Sequence, residues 1–185
     1  MSDEGTWDFG QADVLEPEAV GEPGQRTFRL CVMSGSEAAS LWLEKEQLAA
    51  LCFAIRQLLE QTGGEPQPDA VGSSAPDFPP QPDVDFRIGR LGIGYDEARR
   101  IVVIFAYDAT TLAEEDEGGG DEESDKEPTF SCRASRSQVA HFADRAEDVI
   151  NAGRPACALC GLPVDRNGHR CGRRNGHGDQ PVSLT

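Results

Sequence analysis

The sequence predicts an α+β fold: an antiparallel sheet built from two strand–strand–(strand)–helix repeats, with both helices on one face, plus a C-terminal zinc knuckle. Three observations lead to this prediction. Two segments with helical apolar periodicity each follow segments whose apolar residues alternate. The two halves match at an offset of 91 residues, and the C-terminal segment holds cysteine and histidine at metal-ligand spacing.

The first half contains a hairpin and a helix. Residues 27–33 and 38–43 alternate apolar and polar around a Ser-Gly-Ser turn, which is typical of two paired strands. Residues 14–20 alternate more weakly and can add an edge strand to them. Residues 45–61 repeat leucine and isoleucine at steps of three and four, so we expect a helix with one apolar stripe that ends at Gly63.

The second half repeats this order. Residues 85–93 and 100–107 read as strands, and the continuous run IVVIFAY in the second of them is typical of a strand covered on both faces. Residues 129–134 form the next predicted strand. A helix follows over residues 138–152, capped by Ser135 or Ser137 and stopped by a glycine.

The offset of 91 superimposes the inward positions of the two halves. It places the Gln-Leu-Ala of the first helix on the Gln-Val-Ala of the second, and it aligns both apolar stripes and the strands before them. We interpret this as an internal repeat. The alternative is a coincidence between two amphipathic helices.

Two segments carry the acidity of the chain. Residues 1–24 hold seven acids and no base, and residues 108–127 hold ten acids and one lysine, which accounts for the net charge of −16. Blocks of like charge usually stay solvated, so we expect a largely flexible N-terminal segment and a disordered acidic loop. Proline-rich residues 62–83 form a linker. An α+β domain then spans residues 25–153, and residues 154–185 form a zinc-binding tail.

The sequence CALCGLPVDRNGHRC in this tail is the strongest chemical signal. Cys157 and Cys160 are spaced so that one turn can bring both sulfurs to a single ion. Cys171 supplies a third thiolate, and the fourth ligand is His169 or, in the alternative, His177. Three thiolates and an imidazole suit tetrahedral Zn²⁺ with no open position, so we expect a structural ion.

The remaining chemistry-bearing residues predict structure. Three further cysteines, Cys31, Cys52 and Cys132, lie in apolar periodic segments, which favours buried free thiols in a reducing compartment. The remaining histidine, His141, lies off the apolar stripe of the second helix, so we expect it to be solvated. The glycines in RIGRLGIG lie within or between strands and indicate bulges or bending, because no helix follows them as a phosphate loop requires.

These features favour a non-enzymatic binding or adaptor module with an unknown protein partner. An enzyme with a site assembled from scattered side chains is one alternative. A single-stranded nucleic-acid-binding protein is another; its stacking residues would be Trp42, Tyr95 and Tyr107 on an exposed sheet face. The lack of a basic surface disfavours nucleic acid. An acidic N-terminus, and no apolar stretch of about 18 residues, indicate a cytoplasmic protein without a membrane span.

Four segments together resemble one uncharacterised bacterial domain-of-unknown-function family of the high-GC Gram-positive type. They are VGEPGQRTFRL, LEKEQLAAL, FRIGRLGIGYD and CALCGLPVDRNGHRCGRRNGH. The hallmark of that family is a tail with Cys-x-x-Cys-Gly-x-Pro followed by Gly-His-x-Cys. The resemblance implies zinc ligation by Cys157, Cys160, His169 and Cys171, and it implies no activity.

Overall fold

The computed structural model describes residues 6–22, 25–63, 78–116, 127–152 and 159–160, with the backbone alone for residues 114–116. These residues form seven strands and three helices. In chain order they are β1 (Trp7–Gln11), β2 (Val14–Val20), β3 (Thr27–Ser34), β4 (Glu37–Leu43), α1 (Lys45–Thr62), β5 (Val84–Asp96), β6 (Ile101–Asp108), α2 (Ala109–Asp116), β7 (Phe130–Ser135) and α3 (Arg136–Asn151).

The seven strands form one mixed sheet in the order β1-β7-β6-β5-β4-β3-β2. The α+β class is confirmed, but the prediction of a purely antiparallel sheet is wrong, because β4 pairs parallel with β5 and β1 pairs parallel with β7. For β4 and β5, the parallel pairing follows from the helix that connects them. Helix α1 carries the chain from the end of β4 back to the start of β5, and such a crossover gives parallel neighbours.

The sheet curls back on itself where β1 runs into β2. The backbone N–H of Ala12 donates to the carbonyl of Arg133 in β7, and that of Asp13 donates to the carbonyl of Met33 in β3, both at 2.8 Å. The two strands at the ends of the sheet order are therefore joined directly by the chain. Strand β5 makes a similar crossing, since its first part pairs with β4 and its second part pairs with β6.

Helices α1 and α3 pack on the same inner face of the sheet, as predicted. The buried stripes of both helices share one apolar core with alternate residues of the strands, among them Leu30, Leu41, Ile104 and Phe130. The two helices run in opposite directions. Arg56 contacts Asp144, whereas Arg136 at the start of α3 donates to the carbonyl of Leu59 near the end of α1.

The starts of α1 and α3 correspond at the same offset of 91. Each has a capping box in which a glutamine at the third helical position accepts the N–H of the capping residue at 2.8 Å; the pairs are Gln47 with Glu44 and Gln138 with Ser135. Each glutamine also donates to a backbone carbonyl where a strand crosses between the two parts of the sheet. The acceptors are Ile88 for Gln47 and Ala12 for Gln138.

Two expectations about acidic segments need correction. The N-terminal segment was expected to be largely flexible apart from an edge strand over residues 14–20; that strand forms as β2, and residues 7–11 form a further strand, β1. Phe9 and Leu15 anchor them in the core, and backbone bonds to β7 and β3 hold their edges. The expected disordered loop 108–127 begins instead with the last residue of β6 and helix α2, whose Leu112 packs near Gly89. Residues 117–126 lie outside the described part of the chain.

Candidate functional site

Helix α3 ends at Asn151, and the predicted zinc tail follows it. Of the predicted ligands, the described residues include Cys160 alone, which lies in a turn and is partly exposed. Cys157, His169 and Cys171, together with the alternative ligand His177, lie outside the described residues. Within the described ranges, no group of three or more His, Cys, Asp or Glu side chains is arranged to hold a metal ion.

The three cysteines outside the tail are free and buried, as predicted. Burial raises the pKa of Cys31 to about 12, that of Cys52 to about 11 and that of Cys132 to about 12. These thiols are therefore protonated at neutral pH. Because metals bind the thiolate, burial makes these three thiols poor ligands for a metal ion.

The outer face of the sheet, defined here as the face opposite α1 and α3, carries aromatic side chains beside arginines. The guanidinium of Arg29 lies 5.3 Å from the ring of Trp42 and 5.0 Å from the ring of Phe78. That of Arg90 lies 4.0 Å from the ring of Tyr107. These distances are within the range of cation–π contacts.

Tyr95 does not share this face, contrary to expectation. It pairs across β5 and β6 with fully buried Val102, and side chains opposite each other in an antiparallel pair share a face. Tyr95 therefore packs against the core. A bulge between Ile88 and Arg90 interrupts the alternation along β5, as the glycines of this strand predicted. Because the bulge adds one residue, simple alternation does not tell which face of the sheet a later residue of β5 lies on.

Carboxylates neutralise several arginines of the outer face. The guanidinium of Arg29 lies 2.6 Å from Glu18, and that of Arg133 lies 3.1 Å from Asp8. Arg87 pairs with Glu44 in the same way. A row of paired charges attracts a phosphate chain much less than free arginines do, because each carboxylate cancels one positive charge.

Asp8 illustrates how these pairs are held. Its carboxylate accepts the backbone N–H of Gly10 at 3.0 Å and binds both terminal nitrogens of Arg133. The hydrogen bond from Gly10 is the main reason that the pKa of Asp8 lies below its ordinary value, and Arg133 lowers this pKa further. Asp8 thus fastens β1 to β7 as an ionised group.

His141 lies at the contact between α3 and β2. Its side chain is 40% exposed, and its Nε2 atom lies 3.4 Å from a carboxylate oxygen of Glu16. Arg145, one turn later, lies 3.9 Å from the same carboxylate. The prediction of a solvated residue holds in part, because His141 also pairs across the edge of the sheet.

Sequence reasoning missed Phe53. It lies on α1 outside the buried stripe and is 64% exposed. Ala49 and Ala50, one turn earlier, are exposed as well. A large apolar residue between charged and polar positions of an amphipathic helix is the signal that could have identified it.

The chain matches the family described as "Protein of unknown function (DUF3090)" over residues 7–171. It belongs to this family. The matched range includes all four predicted zinc ligands and ends at Cys171, before His177. No curated protein and no solved structure gave a significant match. Among the described residues, no helix combines the length and apolar character needed to cross a membrane.

Proposed function

We propose that this DUF3090 protein is a cytoplasmic, bacterial binding or adaptor module whose C-terminal tail is stabilised by one structural Zn²⁺. The proposed ligands are Cys157, Cys160, His169 and Cys171. The observation that carries the zinc site is the spacing Cys-x-x-Cys…His-x-Cys within the family range, which ends at the last of these ligands. The same range favours His169 over His177.

The buried thiols support a ligand set confined to the tail. Cys52 and Cys132 lie in the core, Cys31 is buried on the outer face of the sheet beside Glu18, and burial keeps all three protonated. Three thiolates and one imidazole complete a tetrahedron, so no position is open for a catalytic water. Zinc in such a site contributes binding free energy to the folding of a tail that is too short to build a core.

The pKa shifts support a binding role over catalysis. Among the described residues, the pKa is raised for three buried thiols and lowered for Asp8, and each shift has a structural cause: burial for the thiols, and the bonds to Gly10 and Arg133 for the carboxylate. An enzyme site gathers shifted groups around a cleft where a substrate can reach them. Here the shifted groups are three buried thiols and one carboxylate in a paired bridge.

Single-stranded nucleic acid is the second candidate ligand, because the outer face carries Trp42 and Tyr107 next to arginines. The pairing of Arg29, Arg87 and Arg133 with carboxylates argues against it. A neutral face of mixed charge suits a protein partner better, since a protein offers both signs of charge.

The test measures zinc in full-length protein purified without added metal. We expect about one zinc per chain in the parent protein and in His177→Ala, and loss of zinc in His169→Ala, because a missing fourth ligand weakens the site. Cys157→Ser should also lose zinc, whereas the matched core variant Cys52→Ser should keep it. Zinc retained by His169→Ala but lost by His177→Ala would show that the longer loop supplies the ligand.

A further inference from the structure

An apolar stripe on α1 faces away from the core. Phe53 is 64% exposed at its centre, with Ala49 and Ala50 exposed one turn before it. Glu46 and Glu60, also exposed, lie on the same side of the helix at either end. An exposed aromatic side chain next to two small residues, with a carboxylate at either end, has the composition of an apolar docking patch with a polar rim.

The fold does not require an apolar residue at this position. At the offset of 91 that relates α1 to α3, Phe53 corresponds to Asp144 and Ala50 corresponds to His141. The Asp144 side chain is 72% exposed, so the two equivalent positions have similar access to water. One helix carries an aspartate where the other carries a phenylalanine, which indicates that Phe53 serves contacts outside the core.

The C-terminal tail leaves α3 beside this stripe. A carboxylate oxygen of Glu147, in the last turns of α3, lies 3.0 Å from Arg56, one turn after Phe53. The chain leaves the helix four residues later, after Asn151. An extended chain spans about 3.4 Å per residue, so the stretch from Ala152 to Cys157 can cover about 17 Å. That exceeds the diameter of a helix, which is about 10–12 Å.

The charges of the tail and of the helices are complementary. Residues 154–174 hold five arginines and one aspartate, a charge of +4, and zinc on three thiolates would lower it to +3. On the side of α1 that carries Phe53, Glu46 and Glu60 are exposed carboxylates, whereas the nearby base Arg56 is already paired with Asp144 and Glu147 of α3. A second copy of α1 fits less well, because an antiparallel pair would bring Glu46 of one copy towards Glu60 of the other.

We propose that residues 154–174 of this chain dock on the outer surface of α1, with Phe53 as the apolar anchor and Glu46 and Glu60 as partners for the arginines. The proposal rests on the proposed function, because the zinc-bound tail is the unit that docks. Docking in this way joins the tail and helices α1 and α3 into one structural unit.

Limited trypsin digestion of the zinc-loaded full chain tests this contact, since five of the arginines lie in the tail. Cleavage after Arg166 and Arg170, followed by mass spectrometry, should be about tenfold faster in Phe53→Asp than in the parent, because cleavage tracks the undocked population. Phe53→Leu should restore most of the protection. Val20→Asp, which places the same charge at an exposed apolar residue of β2, should leave the rate unchanged.

The melting temperature and zinc content of each variant separate the possible failures. Phe53→Asp should fold, as the aspartate at the equivalent position of α3 indicates, and should keep its zinc. Equal tail cleavage in the parent and Phe53→Asp, with zinc present in both, overturns the docking proposal alone. Absence of zinc from the parent protein overturns the zinc site itself, whatever the cleavage rates.

Discussion

Replacing Gln138 by leucine should destabilise the fold at the point where its two halves meet. The amide of Gln138 accepts the N–H of Ser135 at 2.8 Å and donates to the carbonyl of Ala12 at 2.8 Å, and both bonds are partly buried. Leucine keeps the approximate volume and removes both bonds, along with the exposed bond that Gln138 Oε1 accepts from the side-chain amide of Gln11 at 3.1 Å. It therefore leaves the helix start and the β1–β2 crossing each with an unpaired backbone group.

The expected loss follows from the two bonds. A hydrogen bond in a protein contributes about 0.5–1.5 kcal/mol net, so two give ~1–3 kcal/mol of unfolding free energy. In a chain of this length, 1 kcal/mol corresponds to a shift of roughly 2–4 °C in melting temperature. Gln138→Glu keeps the acceptor but sets a carboxylate oxygen against the carbonyl oxygen of Ala12, so its loss should be at least as large as that of leucine.

Urea unfolding followed by circular dichroism measures these losses, with Gln61→Leu at the exposed end of α1 as the control. Gln47→Leu should act in the same direction but less strongly, since the bonds from Gln47 to the carbonyls of Ile88 and Gly89 are longer, at 3.2 and 3.4 Å. A Gln138→Leu protein as stable as Gln61→Leu would refute this account of the crossing. Opposite effects at Gln47 and Gln138 would count against the proposed repeat.

Two further predictions concern the core and α2. Burial raises the pKa of Cys31, Cys52 and Cys132 to about 11 or 12 from an ordinary value of 9.0. The unfolded chain therefore loses these protons first, and the unfolding free energy should fall as pH rises from about 9 to 11, by about 1.4 kcal/mol per pH unit for each thiol. Urea titrations at several pH values measure this dependence, and the unfolding free energy should fall less steeply with pH in Cys132→Ala. An unfolding free energy of the parent that does not change between about pH 9 and 11 would contradict the prediction. Gly89→Ala should cost ~1–3 kcal/mol, because its Cβ would lie 2.8 Å from the Cα of Ala109. Gly92→Ala, whose Cβ meets nothing within 4 Å, should have little effect, and equal melting of the two variants would count against the packing of α2 on β5.

Local patterns predicted most of the central elements. The hairpin β3–β4 and helices α1 and α3 match their predicted ranges within one or two residues, because alternation and the helical stripe are read over a few neighbouring residues. The sequence also indicated the three buried cysteines and the bulge in β5. Each of these signals lies within a single element.

Features that depend on distant contacts were missed. The segment WDFGQ was not predicted as a strand, yet it forms β1 because β7 offers it an unpaired edge, whereas residues 14–20 form the edge strand β2 on β3 that their weak alternation indicated. Helix α2 is short and acidic, and it packs against a glycine on β5 that lies about twenty residues earlier in the chain. The parallel pairing of β1 with β7 joins Trp7 to Phe130, residues far apart in the chain, and no local pattern encodes that.

The zinc site was predicted from the spacing of side chains, because metal ligation needs only the right donors within reach of one ion. Its coordination is the most direct test of the account. X-ray absorption at the zinc edge of the full-length protein should show three sulfurs at about 2.3 Å and one nitrogen at about 2.0 Å, with about one zinc per chain. Fewer than three sulfurs, an exchangeable water oxygen on the metal, or iron in place of zinc would contradict a closed structural site.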